Sequence, residues 1–171
     1  MQIPANEYNP FYQPYITQAG PAEDLVDSLR SNLAEVKDFI NAIPEPKTNF
    51  RYAEGKWTVA EVIGHMLDTE RIMAYRALRI SRGDTTPLPG FEENDYVASQ
   101  AYHNRTLPGL AEEFTTIRYA TISLFANLPE KAWLLTGTAS GSTVSVRALA
   151  AIIIGHTRHH LGVLENRYQI G

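Results

Sequence analysis

The stretch KWTVAEVIGHMLDTERIMAYRALRISRGD, residues 56–84, decides the fold. Thr58 followed by Glu61 is a capping box, in which hydroxyl and carboxylate each satisfy a backbone N–H that a helix start leaves without an intrahelical partner. Val59, Val62, Ile63, Met66, Met73, Ala77 and Ile80 then recur with the period of one buried helix face, and Gly83 supplies the stop. A helix over residues 58–82 with one apolar stripe must bury that stripe against other elements, and its neighbours in sequence read as helices too.

Upstream, Leu25, Leu29, Leu33, Val36 and Ile40 repeat the period between Pro21 and Ile43-Pro44, which predicts a helix over 21–42. Downstream, Leu107-Pro108 opens a third long helix through Leu110, Phe114, Ile117, Ile122 and Phe125, closed by Leu128-Pro129. The stretch LLTGTASGSTVSV, residues 134–146, reads as a turn leading to an N-cap at Ser142 or Thr143, with a fourth helix running to about Tyr168. With no strand alternation between them, the expected fold is all-α, a four-helix bundle.

Residues 84–95, DTTPLPGFEEND, and a short helix over 92–102 fill a link too long for a hairpin. It predicts one long crossover connection between the second and third helices, with Pro, Gly and acidic residues placed to rim a site. Residues 1–20 hold four Tyr or Phe and three Pro without a period and read as an irregular arm packed on the domain.

Composition narrows the chemistry. The 15 basic and 19 acidic residues give a net charge of −4 with no basic patch, which argues against a nucleic-acid partner. Cysteine is absent, which excludes disulfides, Cys-ligated zinc, iron–sulfur clusters and a Cys nucleophile, so any thiol must be borrowed. The N-terminal residues lack the basic start and apolar run of a signal peptide, and Leu149 to Ile154 is far short of the roughly 20 residues a membrane span needs. The expectation is a cytoplasmic protein without a membrane partner; long apolar helices that expose one flank favour a homodimer.

Three of the five histidines fall in the stretch GHTRHHLGVLENRY, residues 155–168. At about 100° per residue His156 lies mid-stripe on the fourth helix among Leu149, Ile152, Ile153 and Leu164, and His160 lies about 40° from it. Residues four apart have Cβ atoms about 6 Å apart, close enough for two imidazoles to reach one ion at about 2.0–2.1 Å. His159, about 60° to the other side, has the weaker claim. His65, at the border of the apolar face of the second helix, is the best third ligand. Core histidines hydrogen-bonded to one another are the competing reading, but burying two imidazoles among Leu and Ile costs desolvation twice unless a shared cation satisfies both.

Other metal and hydrolytic signatures are missing: no Glu-x-x-His, no H-E-x-x-H, no G-x-S-x-G and no phosphate-binding glycine loop. Trp57 and Trp133 read as packing residues. Arg71, Arg76, Arg79 and Arg82 read as mostly solvated ion pairs and His103 as an exposed loop residue.

Residues 56–84 together with residues 155–168 resemble the DinB-like superfamily of four-helix metal proteins, which includes bacillithiol transferases and mycothiol-dependent enzymes. The resemblance covers 21–171, leaving 1–20 as the arm. It implies that His65, His156 and His160 hold a divalent metal ion, commonly zinc or nickel, with positions open for water or a thiol cosubstrate. The activity it implies is a metal-dependent thiol S-transferase acting on a low-molecular-weight thiol and an electrophilic small molecule. The alternatives are a metal-dependent hydrolase, or a non-catalytic bundle that binds a metal or small molecule. Asp68 and Glu61 are the nearest candidates for orienting an imidazole or relaying a proton, against their commoner role on a solvated helix face.

Overall fold

A computed structural model of the chain describes residues 3–21 and 24–170. The helix turn expected after Pro21 therefore lies partly outside the described residues. In chain order the helices are α1 (Gln13–Ala19), α2 (Leu25–Ala42), α3 (Val59–Ser81), α4 (Glu93–Ala98), α5 (Leu107–Ala126) and α6 (Val146–Tyr168), and a hairpin of β1 (Thr136–Ala139) and β2 (Ser142–Ser145) precedes α6. The four long helices α2, α3, α5 and α6 form the expected bundle. Both α2 and α3 pack against both α5 and α6, so α2 stands diagonally opposite α3, and α5 diagonally opposite α6.

The capping box at Thr58 and Glu61 opens α3 as read from the sequence. Beyond α3 the chain turns back along it. Pro89 O accepts from Arg76 Nη2 at 2.8 Å, and farther on the Tyr102 hydroxyl donates to Asp68 Oδ2 at 2.9 Å. α5 thus begins beside the N-terminal half of α3, which is the long crossover. Its helical content is smaller than expected, α4 and a 3-10 turn at Tyr102–Asn104.

Two segments differ from the sequence reading. The arm is ordered into 3-10 turns at Ala5–Glu7 and Pro10–Tyr12 and the helix α1. Pro10 and Pro14 stand in first turns, where the missing N–H would have had no intrahelical partner, so these prolines open helical turns. α1 lies on α6 at Gly155, where a Cβ would sit 1.8 Å from Tyr15 O. Only glycine lets the two backbones approach this closely.

The second difference is the hairpin. Ser140 (φ 50°) and Gly141 (φ 76°) form its two-residue turn, both in the left-handed region that a type I′ turn requires. Leu88 from the crossover link bridges to Ala139, its N–H donating to Thr138 O at 2.9 Å. The N-cap of α6 is Ser145, whose Oγ accepts from Ala148 N at 3.1 Å; Ser142 and Thr143, expected in that role, belong to β2.

The core contains a polar centre that periodicity does not reveal. Arg118 on α5 is fully buried and donates through Nε and Nη2 to the Glu70 carboxylate of α3 at 2.7 and 2.9 Å. Its Nη1 donates to Asn32 Oδ1 (2.7 Å) and Leu29 O (3.2 Å) on α2, and Thr157 Oγ1 on α6 lies 2.7 Å from the same Asn32 oxygen. Arg76, expected to be solvated, is also buried and donates to Pro89 O and Ser140 Oγ, fastening the link and hairpin to α3. Trp133 packs on Phe125 at 5.4 Å, as expected of a packing residue. Among the described residues no helix is long and apolar enough to cross a membrane.

Removing one member of a buried ion pair leaves its partner uncompensated, at a cost of about 3–5 kcal/mol. Arg118→Met should lose stability of that order in urea denaturation. Arg118→Met with Glu70→Leu should lose less than Arg118→Met alone, because no unpaired charge remains.

Candidate metal centre

His65 is buried on α3, and His156 and His160 project from consecutive turns of the facing α6, His156 buried and His160 half-buried. Their Nε2 atoms converge: His156 Nε2 lies 2.9 Å from His65 Nε2 and 3.1 Å from His160 Nε2. One ligand atom from each of the three lies within 4.8 Å of the others. A ring nitrogen carries either one proton or one lone pair, so His156 Nε2 cannot make two good linear hydrogen bonds to neighbours of the same kind. A cation accepting all three lone pairs resolves the conflict, so the donor set fits a divalent metal with an affinity for imidazole.

Burial sets the charge state. Desolvation, with a smaller contribution from His159, pushes His65 down to about 4. Burial first and neighbouring imidazoles second hold His156 and His160 well below the ordinary histidine value. All three are neutral at neutral pH, the form that ligates a metal. Trp57 packs its ring 5.0 Å from that of His65, and Tyr15 sets its ring edge-on to His156 at 5.4 Å.

The histidines form one wall of an open cleft of about 360 Å³. Its other walls are Phe11, Tyr12 and Tyr15 from the N-terminal segment, Thr69 and Met73 from α3, and Phe91, Glu92 and Glu93 from the crossover link. The acidic stretch therefore rims the site, as its composition suggested. Glu93 Oε2 approaches His65 Nε2 to 3.9 Å; because His65 is neutral this is no ion pair. Burial, and then Glu92, raises the Glu93 carboxyl above its ordinary range. Among the described residues, the buried Thr69 Oγ1 and His160 Nδ1 have no hydrogen-bond partner.

The remaining candidates sit elsewhere. Asp68 accepts from the Tyr102 hydroxyl at 2.9 Å and lies 3.6 Å from Arg71, while Glu61 is engaged in the capping box at Thr58. Neither contacts an imidazole. His159 lines the cleft beside Tyr15, with ring centroids 5.3 Å apart, and His103 is exposed in the link. The sequence reading missed the wall built by Phe11, Tyr12 and Tyr15; the cluster of aromatics before Pro21 was the available signal.

Residues 9–164 match the family model of the DinB superfamily. The fold is shared with YfiT from Bacillus subtilis, described as "a probable metal-dependent hydrolase with an unusual four-helix bundle topology": TM-score 0.70, 15% identity, covering 99% of this chain and 98% of that one. A mycothiol-dependent maleylpyruvate isomerase aligns with a TM-score of 0.68 and 16% identity over 83% of this chain and 60% of its own. A DinB-like protein from Bacillus subtilis, YjoA, aligns with a TM-score of 0.58 and 20% identity over 82% of this chain and 85% of its own. No curated protein matches the chain.

Because His65 is held below its ordinary 6.5, the unfolded chain binds a proton that the metal-free fold refuses between about 6.5 and 4. Stability of the metal-free protein should therefore fall as pH drops through that window. Urea midpoints at pH 7.5 and 4.5 should differ in that direction, and His65→Gln should make the pH dependence shallower.

Proposed function

The chain belongs to the DinB superfamily, and from that premise we propose that it is a metal-dependent transferase whose divalent cation, zinc or nickel, is held by His65, His156 and His160. Its substrates are a low-molecular-weight thiol and an electrophilic small molecule. The observation that carries this reading is the convergence of three neutral Nε2 atoms on one wall of an open cleft.

When bound, the cation supplies Lewis acidity that lowers the pKa of a thiol or water sharing the site. The side chains define the rest. Three imidazoles occupy the bundle side and leave the cleft side for a cosubstrate. Thr69 Oγ1, buried without a partner among the described residues, offers a hydroxyl to the bound molecule. Phe11, Phe91, Met73 and Ile152 supply apolar surface that takes up the body of a small molecule and displaces water around it. With no cysteine in the chain, the nucleophilic sulfur comes from the cosubstrate. The fold shared with a mycothiol-dependent isomerase supports a thiol partner. The likeness to YfiT over nearly the whole of both chains favours a second reading, hydrolysis by an activated water.

Untagged protein should carry about one divalent ion per chain by mass spectrometry, and His65→Ala, His156→Ala and His160→Ala should each reduce occupancy at least about tenfold while helical circular dichroism persists. The metal-loaded protein should consume glutathione, bacillithiol or mycothiol with monochlorobimane, and chelation should stop it. Ester hydrolysis without thiol turnover would select the second reading; metal without either would leave a binding bundle. A parent that takes up neither zinc nor nickel would sink the proposal.

A further inference from the structure

The three imidazoles bring no negative charge to a cation seated at the edge of the core, and a dication in a partly buried site is costly without one. The carboxylates on the elements around the site include Glu61, Asp68, Glu92 and Glu93. Glu61 is taken by the capping box and Asp68 by Tyr102 and Arg71. Glu92 caps α4, its Oε1 accepting from Asn94 N and Nδ2, both at 3.1 Å. The Glu93 carboxylate makes no hydrogen bond among the described residues, and its Oε2 lies 3.9 Å from His65 Nε2.

That distance is informative. Two ligands of one ion, each at about 2.0–2.1 Å and at the tetrahedral angle, stand about 3.3 Å apart. The Glu93 carboxylate lies a little beyond that separation from one imidazole and too far from it for a hydrogen bond. Its side chain is 52% exposed, so rotation toward the cleft meets little resistance. The backbone that carries it is fixed: Val97 of α4 is buried, and Tyr102 anchors the link to α3.

We propose that Glu93, on α4 in the crossover link, is a fourth protein ligand of the cation held by His65, His156 and His160, reached by rotation of its unpartnered side chain. The inference rests on the metal reading above and adds a neutralising oxygen donor from outside the bundle, one that swings back off the ion when a cosubstrate takes its position. Metal binding then ties the crossover link to α3 and α6 and narrows the cleft on the link side.

The test uses the full chain loaded with zinc or cobalt(II). Glu93→Gln should weaken zinc at least about tenfold in competition with a chelator and shift the cobalt(II) d–d absorption. Asp95→Asn, which removes one charge from the same helix away from the cleft, should do neither. Hydrogen exchange of residues 93–98 should slow on zinc addition in the parent and not in Glu93→Gln. Unchanged zinc affinity in Glu93→Gln would overturn the proposal, as would weaker affinity with an unchanged cobalt spectrum, since a charge acting at a distance gives that result. A parent that binds no metal overturns the metal reading itself, an outcome distinct from a parent that binds and a variant that binds equally well.

Discussion

Arg118 carries a charge where water does not reach, and its polar surroundings come from every other long helix: Glu70 from α3, Leu29 and Asn32 from α2, Thr157 through Asn32 from α6. Leaving a buried charge unpaired costs about 3–5 kcal/mol, a large share of the net stability of a domain. The bundle can therefore close only in the register that pairs it, and a slip of one helical turn, about 5.4 Å, would leave the guanidinium without its acceptors. His65 lies one turn before Thr69 and Glu70 on α3, and His156 directly precedes Thr157 on α6. The register that satisfies Arg118 is thus the register that brings three Nε2 atoms together.

The chemistry of the cleft follows from burial more than from charge. Packing the imidazoles against Trp57 and Tyr15 keeps them neutral and fixes their rings, so their lone pairs are presented without rearrangement. The cleft in front of the histidines is lined by the N-terminal segment and the crossover link. The bundle supplies nitrogen donors, and the segments outside it supply aromatic walls and carboxylates.

Much of this was legible in the sequence because it depends on local periodicity. The long helices, the capping box at Thr58, the crossover and the placing of His65, His156 and His160 on buried faces all follow from spacing along one element. What escaped has causes that spacing does not encode. Strands of four residues are too short to show alternation, so β1 and β2 read as a turn. Pro10 and Pro14 sit in a stretch without period that reads as irregular, although the same residue can open a helix. Arg76 and Arg118 look like surface cations until the partners that bury them, Ser140 and Glu70, are brought from elsewhere in the chain. Asp68 is near His65 in sequence, yet its carboxylate turns to Tyr102, while Glu93, distant in sequence, reaches the site.

The contact at Gly155 separates two tasks within one small domain. α1 touches α6 backbone to backbone there, and Phe11, Tyr12 and Tyr15 form a cleft wall that the four-helix core does not need for its own register. Variation at Phe11 and Tyr12 can therefore reshape the cleft mouth while the Arg118–Glu70 pair and the Tyr15 packing on His156 stay untouched. A family built this way can change what its cleft admits by editing a cover and keep the histidine cluster in the frame beneath.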